Sequence, residues 1–210
     1  AISLTAAQAI SLVSGSSLTS VNGDLTLSAN QQAVSAAGNF SGIKIDAATV
    51  QVSGIGNLAM SGRGGNSSRD NYGIYLLNGA LVGSTSNAEG AGTVTLEGTG
   101  VVGGIFNAGV YIVHSDTHVT SALGNIVING YGAEVSGTGN LGILLSGKIL
   151  STGPASITLT GIGGPGRFNN DGILISGDIS SAGGNITLTG LGGGPTDRDD
   201  SDGIFLSGTI

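Results

Sequence analysis

The segment from Asp171 to Gly190 reads DGILISGDISSAGGNITLTG, and it decides the fold because the chain repeats it. It returns as DGIFLSGTI from Asp202 to Ile210, and it occurs earlier as LGILLSGKILSTGPASITLTG, starting at Leu141. A chain that repeats an apolar, glycine-punctuated phrase at a regular interval forms stacked coils, because each coil needs a neighbour to bury its apolar side chains. The repeat therefore predicts a column of coils and not a single globular core.

Three columns of aliphatic residues recur through the chain. The GIxL phrase recurs at spacings of 33, 31, 36, 33, 30 and 31 residues, and gives a first column of Ile10, Ile43, Ile74, Val110, Ile143, Ile173 and Ile204. The ITLTG phrase gives a second column of Leu25, Leu58, Val94, Ile126, Ile157 and Ile186. A weaker third column falls at Leu18, Val50, Leu81, Val119, Ile149, Ile179 and Ile210. Three short strands per coil follow.

The fold class indicated by these columns is all-β. Apolar residues alternate over three to five positions and then stop at Gly, Asn or Ser, which is the pattern of strands and not of helices. We predict one β-helical domain over residues 1–210, a parallel β-solenoid of six-plus coils with about 31 residues per coil, starting near residues 10, 43, 74, 110, 143, 173 and 204. Variable coil lengths and long loops favour a right-handed helix, and the domain is expected to be a piece of a longer rod.

Short polar residues precede the second strand of most coils. They follow a small residue, as in the pairs Gly23-Asp24, Gly56-Asn57, Gly124-Asn125 and Gly184-Asn185. Gly and Asn suit a sharp corner, and a short polar side chain there can bond the backbone of the coil above or below. These pairs are therefore interpreted as corners, not as phosphate-binding loops.

Composition excludes several classes of protein. Six Lys and Arg against thirteen Asp and Glu, with a net charge of −7, argue against nucleic acid as a partner, which requires a clustered basic face. The chain has no Cys, so it has neither a disulfide framework nor a thiolate metal site. No apolar run approaches the length of a transmembrane helix, roughly 18 to 20 residues.

Strings such as GNITLTGLGGG followed by DGIFLSGTI resemble the repeats of large secreted β-helical proteins of bacteria. The chain is similar to the filamentous-haemagglutinin-like and autotransporter-passenger-like adhesins, and to repeat regions of large cyanobacterial surface proteins. The resemblance covers the chain from about Ile10 onward. It implies secretion to the cell surface and a role as stalk, adhesive or matrix component.

The densest acidic segment precedes the last strand. Asp197, Asp199, Asp200 and Asp202 surround Arg198 in PTDRDDSDG, and their carboxylates make this loop a candidate calcium site, although it lacks the glycine spacing of an EF-hand. A solvated acidic loop is the simpler interpretation, and no other cofactor is expected. Asp70, Asp171 and Asp202 recur near one column before the GI phrase, where an Asx-type turn is favoured over an ion ladder.

No residues are arranged for catalysis. His114, Asp116 and His118 lie in VHSDTHV, where a metal pair is conceivable and a solvent-exposed polar bulge is the favoured interpretation. Lys44 and Lys148 lie three coils apart on different strands, so they do not cooperate as the base of a lyase. The sequence therefore predicts that the protein is not an enzyme.

An apolar and aromatic stripe occupies the outward positions of the first strand. The stripe is a candidate binding surface composed of Tyr75, Tyr111, Leu144, Leu174 and Phe205. Either the loop that follows the ITLTG strand covers it as a second core, or it is a contact surface on which the tyrosines stack on sugar rings and the remaining residues pack on another chain.

The resulting hypothesis is a non-catalytic, extracellular structural or adhesive segment of a large bacterial surface protein. Its expected partners are extracellular polysaccharide, a host or neighbouring cell surface, or further copies associated laterally or end to end. A polysaccharide-binding or polysaccharide-degrading β-helix is the alternative. An ice-binding solenoid is a minor one, suggested by the outward Thr158/Thr160 and Thr187/Thr189 pairs and opposed by Glu97 on the same face.

Overall fold

The computed structural model describes residues 1–67, 69–101, 105–133, 137–194 and 200–210, and within these it contains strands but no helix. The strands of the first four coils are β1 (Ile2–Ala6), β2 (Ile10–Leu12), β3 (Ser17–Ser20), β4 (Leu25–Ala29), β5 (Ile43–Asp46), β6 (Thr49–Val52), β7 (Leu58–Arg63), β8 (Ile74–Leu77), β9 (Leu81–Ser84), β10 (Val94–Thr99), β11 (Val110–Ile112) and β12 (His118–Ser121). They are followed by β13 (Ile126–Tyr131), β14 (Gly137–Thr138), β15 (Ile143–Leu145), β16 (Lys148–Ser151), β17 (Ile157–Ile162), β18 (Gly166–Phe168), β19 (Ile173–Ile175), β20 (Asp178–Ser181), β21 (Ile186–Leu191) and β22 (Ile204–Leu206).

Equivalent strands of successive coils form three parallel sheets. Sheet 1 is β1-β4-β7-β10-β13-β17-β21, sheet 2 is β2-β5-β8-β11-β15-β19-β22, and sheet 3 is β3-β6-β9-β12-β16-β20. Beyond the first coil, paired residues of these sheets lie between 29 and 37 positions apart, as in Ile157 with Ile186 and Val82 with Val119. The structure thus confirms an all-β parallel solenoid of about six turns. The described residues include no helix that is both long and apolar enough to cross a membrane.

The interior of the column is aliphatic. Ile173 and Ile175 are fully buried while Leu174 between them is half-buried, as strand alternation requires. The first predicted column is in register throughout, because Ile43, Ile74, Val110 and the equivalent residues pair directly from coil to coil. Each side chain buried in this way stabilises the column by roughly 1.5 to 3 kcal/mol.

The third predicted column is wrong at one position. Val50 pairs with Val82, and Val82 pairs with Val119, so Val82 and not Leu81 is the inward residue of β9. Val82 is fully buried, whereas Leu81 is half-buried. Because side chains alternate between the two faces of a strand, an error of one residue exchanges the core position for the outer one.

The strand β1 is absent from the predicted columns. Ile2 and Leu4 pair with Leu25 and Leu27, so the sequence ISLTA is a first copy of the ITLTG phrase. Only 23 positions separate Ile2 from Leu25, because β1 runs almost directly into β2 without the long connection found in later coils. The stacking therefore begins before Ile10.

The long connection from sheet 1 to sheet 2 leaves the column and returns to it. We call this projection the flap; its outgoing limb comprises residues 64–65, 100–101, 132–133, 163–164 and 192–193, and its returning limb comprises residues 71–73, 107–109, 140–142, 170–172 and 201–203. A Cβ on Gly98, in β10 just before the outgoing limb, would overlap the carbonyl oxygen of Gly109 on the returning limb, and one on Gly100, in the outgoing limb, would overlap that of Asn107. The glycines at these two positions thus allow the end of β10 and the outgoing limb to touch the returning limb.

A ladder of buried asparagines runs along the returning limb. Asn71, Asn107, Asn140 and Asn170 are fully buried. The side-chain oxygen of each of the last three accepts the backbone N–H of its counterpart one coil earlier, at 3.0, 3.3 and 3.0 Å. The ladder satisfies backbone groups that the flap removes from the sheets.

The corner residues act as predicted. The backbone N–H of Asn57 donates to Asp24 Oδ1 at 2.8 Å, that of Thr93 to Asn57 Oδ1 at 3.0 Å, and that of Ser156 to Asn125 Oδ1 at 3.0 Å. Each short polar side chain therefore bonds the backbone of the following coil.

Candidate functional site

The outward stripe of sheet 2 is continuous in the structure. Tyr75 pairs with Tyr111, Tyr111 with Leu144, Leu144 with Leu174, and Leu174 with Phe205. The first four are half-buried, and Phe205 is 44% exposed. The stripe is therefore partly covered, and it presents a partly accessible apolar surface.

Tyr72, on the returning limb of the flap, joins this stripe. Its ring centroid lies 4.8 Å from that of Tyr75 and 5.1 Å from that of Tyr111, while Tyr75 and Tyr111 stack 5.1 Å apart at an interplanar angle of 14°. We call these three residues the tyrosine cluster. Tyr72 was not among the predicted site residues, and the signal for it was its position three residues before Tyr75 in NYGIY.

The tyrosine cluster is held by polar contacts at its edge. Tyr72 donates its hydroxyl to Asp70 Oδ1 at 3.2 Å, and Asp70 pairs with Arg69 at 3.1 Å. Burial raises the pKa of Tyr72, and the charge and hydrogen bond of Asp70 raise it further. Burial also raises the pKa of Tyr75 and that of Tyr111. All three rings stay neutral at physiological pH.

A cleft of about 400 Å³ lies on the other side of the flap, against sheet 1. It is lined by Arg63, Thr99, Tyr131 and Ile162, which end four successive strands, and by Pro165. The sequence did not predict this cleft. Its residues belong to different coils, so only the stacking brings them together.

The aromatic residues are distributed unevenly. None of the four Tyr and four Phe belongs to the buried core; they occupy the flap, the neighbouring connections, or the outward strand positions beside it. Phe and Tyr supply large hydrophobic burial, so their exclusion from the core is not explained by stability. Three of the four tyrosines form the cluster, and the fourth, Tyr131, lines the cleft.

The predicted aspartate column is only partly correct. Asp171 and Asp202 occupy equivalent positions, and the backbone N–H of Asp202 donates to Asp171 Oδ1 at 2.7 Å. Asp70 lies one position earlier in its coil, because it precedes Asn71 as Asn169 precedes Asn170. The bond of Asp171 joins successive coils, so it is not the local Asx turn that the sequence favoured.

Burial raises the pKa of Asp171, which is 4% exposed. The hydrogen bond from Asp202 lowers this pKa, while the nearby charges of Asp202 and Asp200 raise it. Of the predicted calcium ligands, Asp197 and Asp199 lie outside the described residues, and Asp200 and Asp202 are exposed. The calcium site therefore stays a prediction.

The two histidines are not brought together as a metal pair in the described chain. His114 lies in an exposed turn with a positive φ of 72°, and its Nδ1 accepts the backbone N–H of Asn78 at 3.1 Å. His118 lies in β12 beside Lys148. No group of three or more His, Cys, Asp or Glu that could hold a metal occurs among the described residues.

The two lysines lie on different sheets, as predicted. Lys44 in sheet 2 pairs with Asp46 at 2.9 Å, and Lys148 in sheet 3 pairs with Asp178 at 3.4 Å. Hydrogen bonds from Asn78 and Lys44 lower the pKa of Asp46. Both cations are thus neutralised by a nearby carboxylate.

The outward threonines of sheet 1 form a short array. Thr158 and Thr160 pair with Thr187 and Thr189, but the preceding coil presents Val127 and Asn129 at these positions. The regular face that an ice-binding solenoid requires is therefore limited to two coils.

No protein family, curated protein or solved structure matches this chain. The class of protein that fold and site define is a parallel β-solenoid with a stacked flap and exposed aromatic residues.

Proposed function

We propose that the protein is a non-catalytic, extracellular structural and adhesive segment of a large bacterial surface or secreted protein. The observation that carries this proposal is the uninterrupted, in-register stacking of three parallel sheets through the column. Seven stacked strands at about 4.8 Å give a rod roughly 30 Å long. The resemblance of its repeats to filamentous-haemagglutinin-like adhesins supports the same role.

The column suits a rigid spacer because its backbone hydrogen bonds lie along the rod. Force applied along this axis loads many parallel bonds of each sheet together, while the flap varies without disturbing the aliphatic interior. An adhesive rod needs such a separation of a constant core from a variable surface.

The proposed extracellular location is tested on intact cells that produce the large protein to which this segment is proposed to belong. An antibody raised against the chain is expected to label unpermeabilised cells as strongly as permeabilised ones. Labelling that requires permeabilisation would contradict an extracellular role. An antibody against a cytoplasmic protein is the control, since it should label permeabilised cells alone.

Adhesion is tested with beads that carry the chain. Beads coated with the protein are expected to adhere to cells or to extracellular polysaccharide more than uncoated beads do. Beads coated with heat-unfolded chain serve as the control. Equal retention of native and unfolded coatings would argue against an adhesive surface formed by the fold. Lateral or end-to-end association of copies is examined separately by sedimentation velocity over a range of concentrations.

Polysaccharide binding is the second candidate function, and the tyrosine cluster favours it. Partly exposed rings at stacking distance offer flat apolar faces on which the C–H faces of sugar rings pack. Neutral polysaccharides are therefore the expected ligands of this cluster, because no unpaired charge belongs to it.

Affinity electrophoresis with neutral polysaccharides tests this second function. Tyr75→Ala and Tyr111→Ala are expected to weaken retardation at least threefold, while Phe168→Ala, which alters an exposed aromatic residue outside the cluster, leaves it unchanged. Equal retardation of all variants would exclude the cluster. Reducing ends are measured on the same mixtures; an increase over time would contradict the non-catalytic role.

A further inference from the structure

The cleft beside sheet 1 has the dimensions of a ligand site. Its volume of about 400 Å³ lies within the range of small-molecule sites, roughly 300 to 1,000 Å³. All residues that line it are among those the structure describes.

The cleft is formed by coil stacking. Arg63 pairs with Thr99, Thr99 with Tyr131, and Tyr131 with Ile162, so the four side chains form one row across four strands. The outgoing limb of the flap rises beside this row, and its glycines lack side chains that would fill the space. Pro165 lies on the flap side of the cleft.

Arg63 supplies a positive charge that no described carboxylate neutralises. Its Nη1 donates to the backbone carbonyl of Gln32 at 3.2 Å, and no ion pair to it occurs within the described residues. Lys44, Arg69 and Lys148, in contrast, all pair with an aspartate. A guanidinium has five N–H donors, so most of its donors are available for a ligand.

We propose that this cleft binds a carboxylated sugar unit of an acidic polysaccharide. The carboxylate accepts hydrogen bonds from the Arg63 guanidinium, whose planar fork matches it. The apolar face of the sugar ring packs on Tyr131 and Ile162, and the Thr99 hydroxyl bonds a ring hydroxyl. This inference names a ligand for the adhesive surface and so rests on the proposed function.

Electrostatics makes the proposal specific. The chain carries a net charge of −7, so its overall field repels an acidic polymer. Affinity for such a polymer therefore requires a local cation, and Arg63 is the cation that the cleft provides. A neutral sugar would gain the ring contact with Tyr131 but not the charge-assisted bonds.

Isothermal titration calorimetry with the whole chain tests this proposal. The probes are oligogalacturonates of one length, with free carboxylates or with methyl esters. The free acid is expected to bind at least tenfold more tightly than the ester, and its affinity is expected to fall as salt is added. Equal affinity for the two probes would overturn the proposal.

Substitutions locate the binding in the cleft. Arg63→Gln is expected to weaken acid binding at least tenfold and Arg63→Lys less, because Lys keeps the charge but not the fork. Arg69→Gln, the matched control, leaves affinity unchanged. Tyr131→Ala weakens both probes. An unchanged affinity of Arg63→Gln for the acidic probe, together with a native circular dichroism spectrum, would contradict the proposal.

The proposed function and this inference are contradicted by different experimental results. The Tyr75→Ala variant, altered in the tyrosine cluster, is expected to bind the acidic probe normally. Loss of acid binding in that variant would place the site on sheet 2 and contradict the cleft. Failure of cell-surface labelling would remove the proposed function but leave the measured acid affinity intact.

Discussion

Asn71 and Asn107 are joined by two hydrogen bonds that share one acceptor, Oδ1 of Asn107. The backbone N–H of Asn71 donates at 3.0 Å, and Nδ2 of Asn71 donates at 3.3 Å. Both side chains are fully buried on the returning limb. The flap is therefore tied from coil to coil by side chains as well as by backbone pairs.

Asn107→Ala is expected to lower the free energy of unfolding by about 2 kcal/mol, because it leaves the buried backbone N–H of Asn71 without its acceptor, Oδ1 of Asn107. Chemical denaturation provides the measurement. The control is Asn125→Ala, which removes the same type of bond, to Ser156, at an exposed corner. It should cost less than about 1 kcal/mol. Equal losses of unfolding free energy in the two variants would show that burial does not strengthen the hydrogen bonds of the asparagine ladder.

Gly98→Ala is expected to destabilise the protein by about 3 kcal/mol or to prevent folding. The added methyl group would overlap the carbonyl oxygen of Gly109, which cannot move without displacing the returning limb. Gly183→Ala serves as the control, since its nearest neighbour would be Pro154 Cα at 3.6 Å. Thermal unfolding followed by circular dichroism compares them. A native melting temperature for Gly98→Ala would contradict the close contact of β10 with the returning limb.

Val82→Ala is expected to cost about 2 kcal/mol, whereas Leu81→Ala costs less although it removes a larger side chain. Val82 is fully buried, and Leu81 lies on the outer face. Urea unfolding of the two variants measures the difference. A larger loss of stability for Leu81→Ala than for Val82→Ala would indicate that Leu81, and not Val82, is the buried residue.

Asp171→Asn is expected to stabilise the protein at neutral pH. Burial raises the pKa of Asp171 in the folded state, so the folded carboxyl holds its proton more tightly than the unfolded one. Stability is then lost as pH rises from the unfolded pKa through the folded pKa. The asparagine keeps an acceptor for the N–H of Asp202 and carries no charge.

The measurement is thermal unfolding of wild type and Asp171→Asn across acidic to neutral pH. The advantage of the variant should disappear below the unfolded pKa of aspartate, about 3.9. Asp116→Asn, at an exposed turn, is the control. An advantage that is the same at every pH would exclude ionisation of Asp171 as its cause.

Alkaline titration should show that the three tyrosines of the cluster ionise at a higher pH than unfolded tyrosine. The folded pKa values of Tyr72, Tyr75 and Tyr111 are raised, so stability contributed by their neutral forms is lost as pH rises above the unfolded value of about 10. Ultraviolet absorbance of phenolate follows the titration. Tyr72→Phe should remove one late transition. If all three tyrosines of the wild-type cluster ionised with the pKa of an unfolded tyrosine, the burial of the cluster would be contradicted.

The sequence alone determined the architecture. Residues such as Ile43, Ile74 and Val110 recur at the coil interval and alternate with outward residues, and this pattern is sufficient for a parallel solenoid because every coil repeats the same local rule. The corner role of Asp24 and Asn57 was predictable for the same reason, since their hydrogen bonds join equivalent positions. The stripe from Tyr75 to Phe205 followed directly from the column register.

Tertiary structure decided what lies beside the column. Tyr72 joins the cluster because of the path that the flap takes, and the same path brings Pro165 beside Arg63 and Tyr131. The two limbs of the flap pack on each other without the alternation of buried and exposed residues that makes a strand predictable from sequence. The choice of Val82 over Leu81 likewise depended on the register with β6 and β12. Local patterns specify which face a strand buries, whereas the contacts of an irregular connection arise only from the packing of residues distant in sequence.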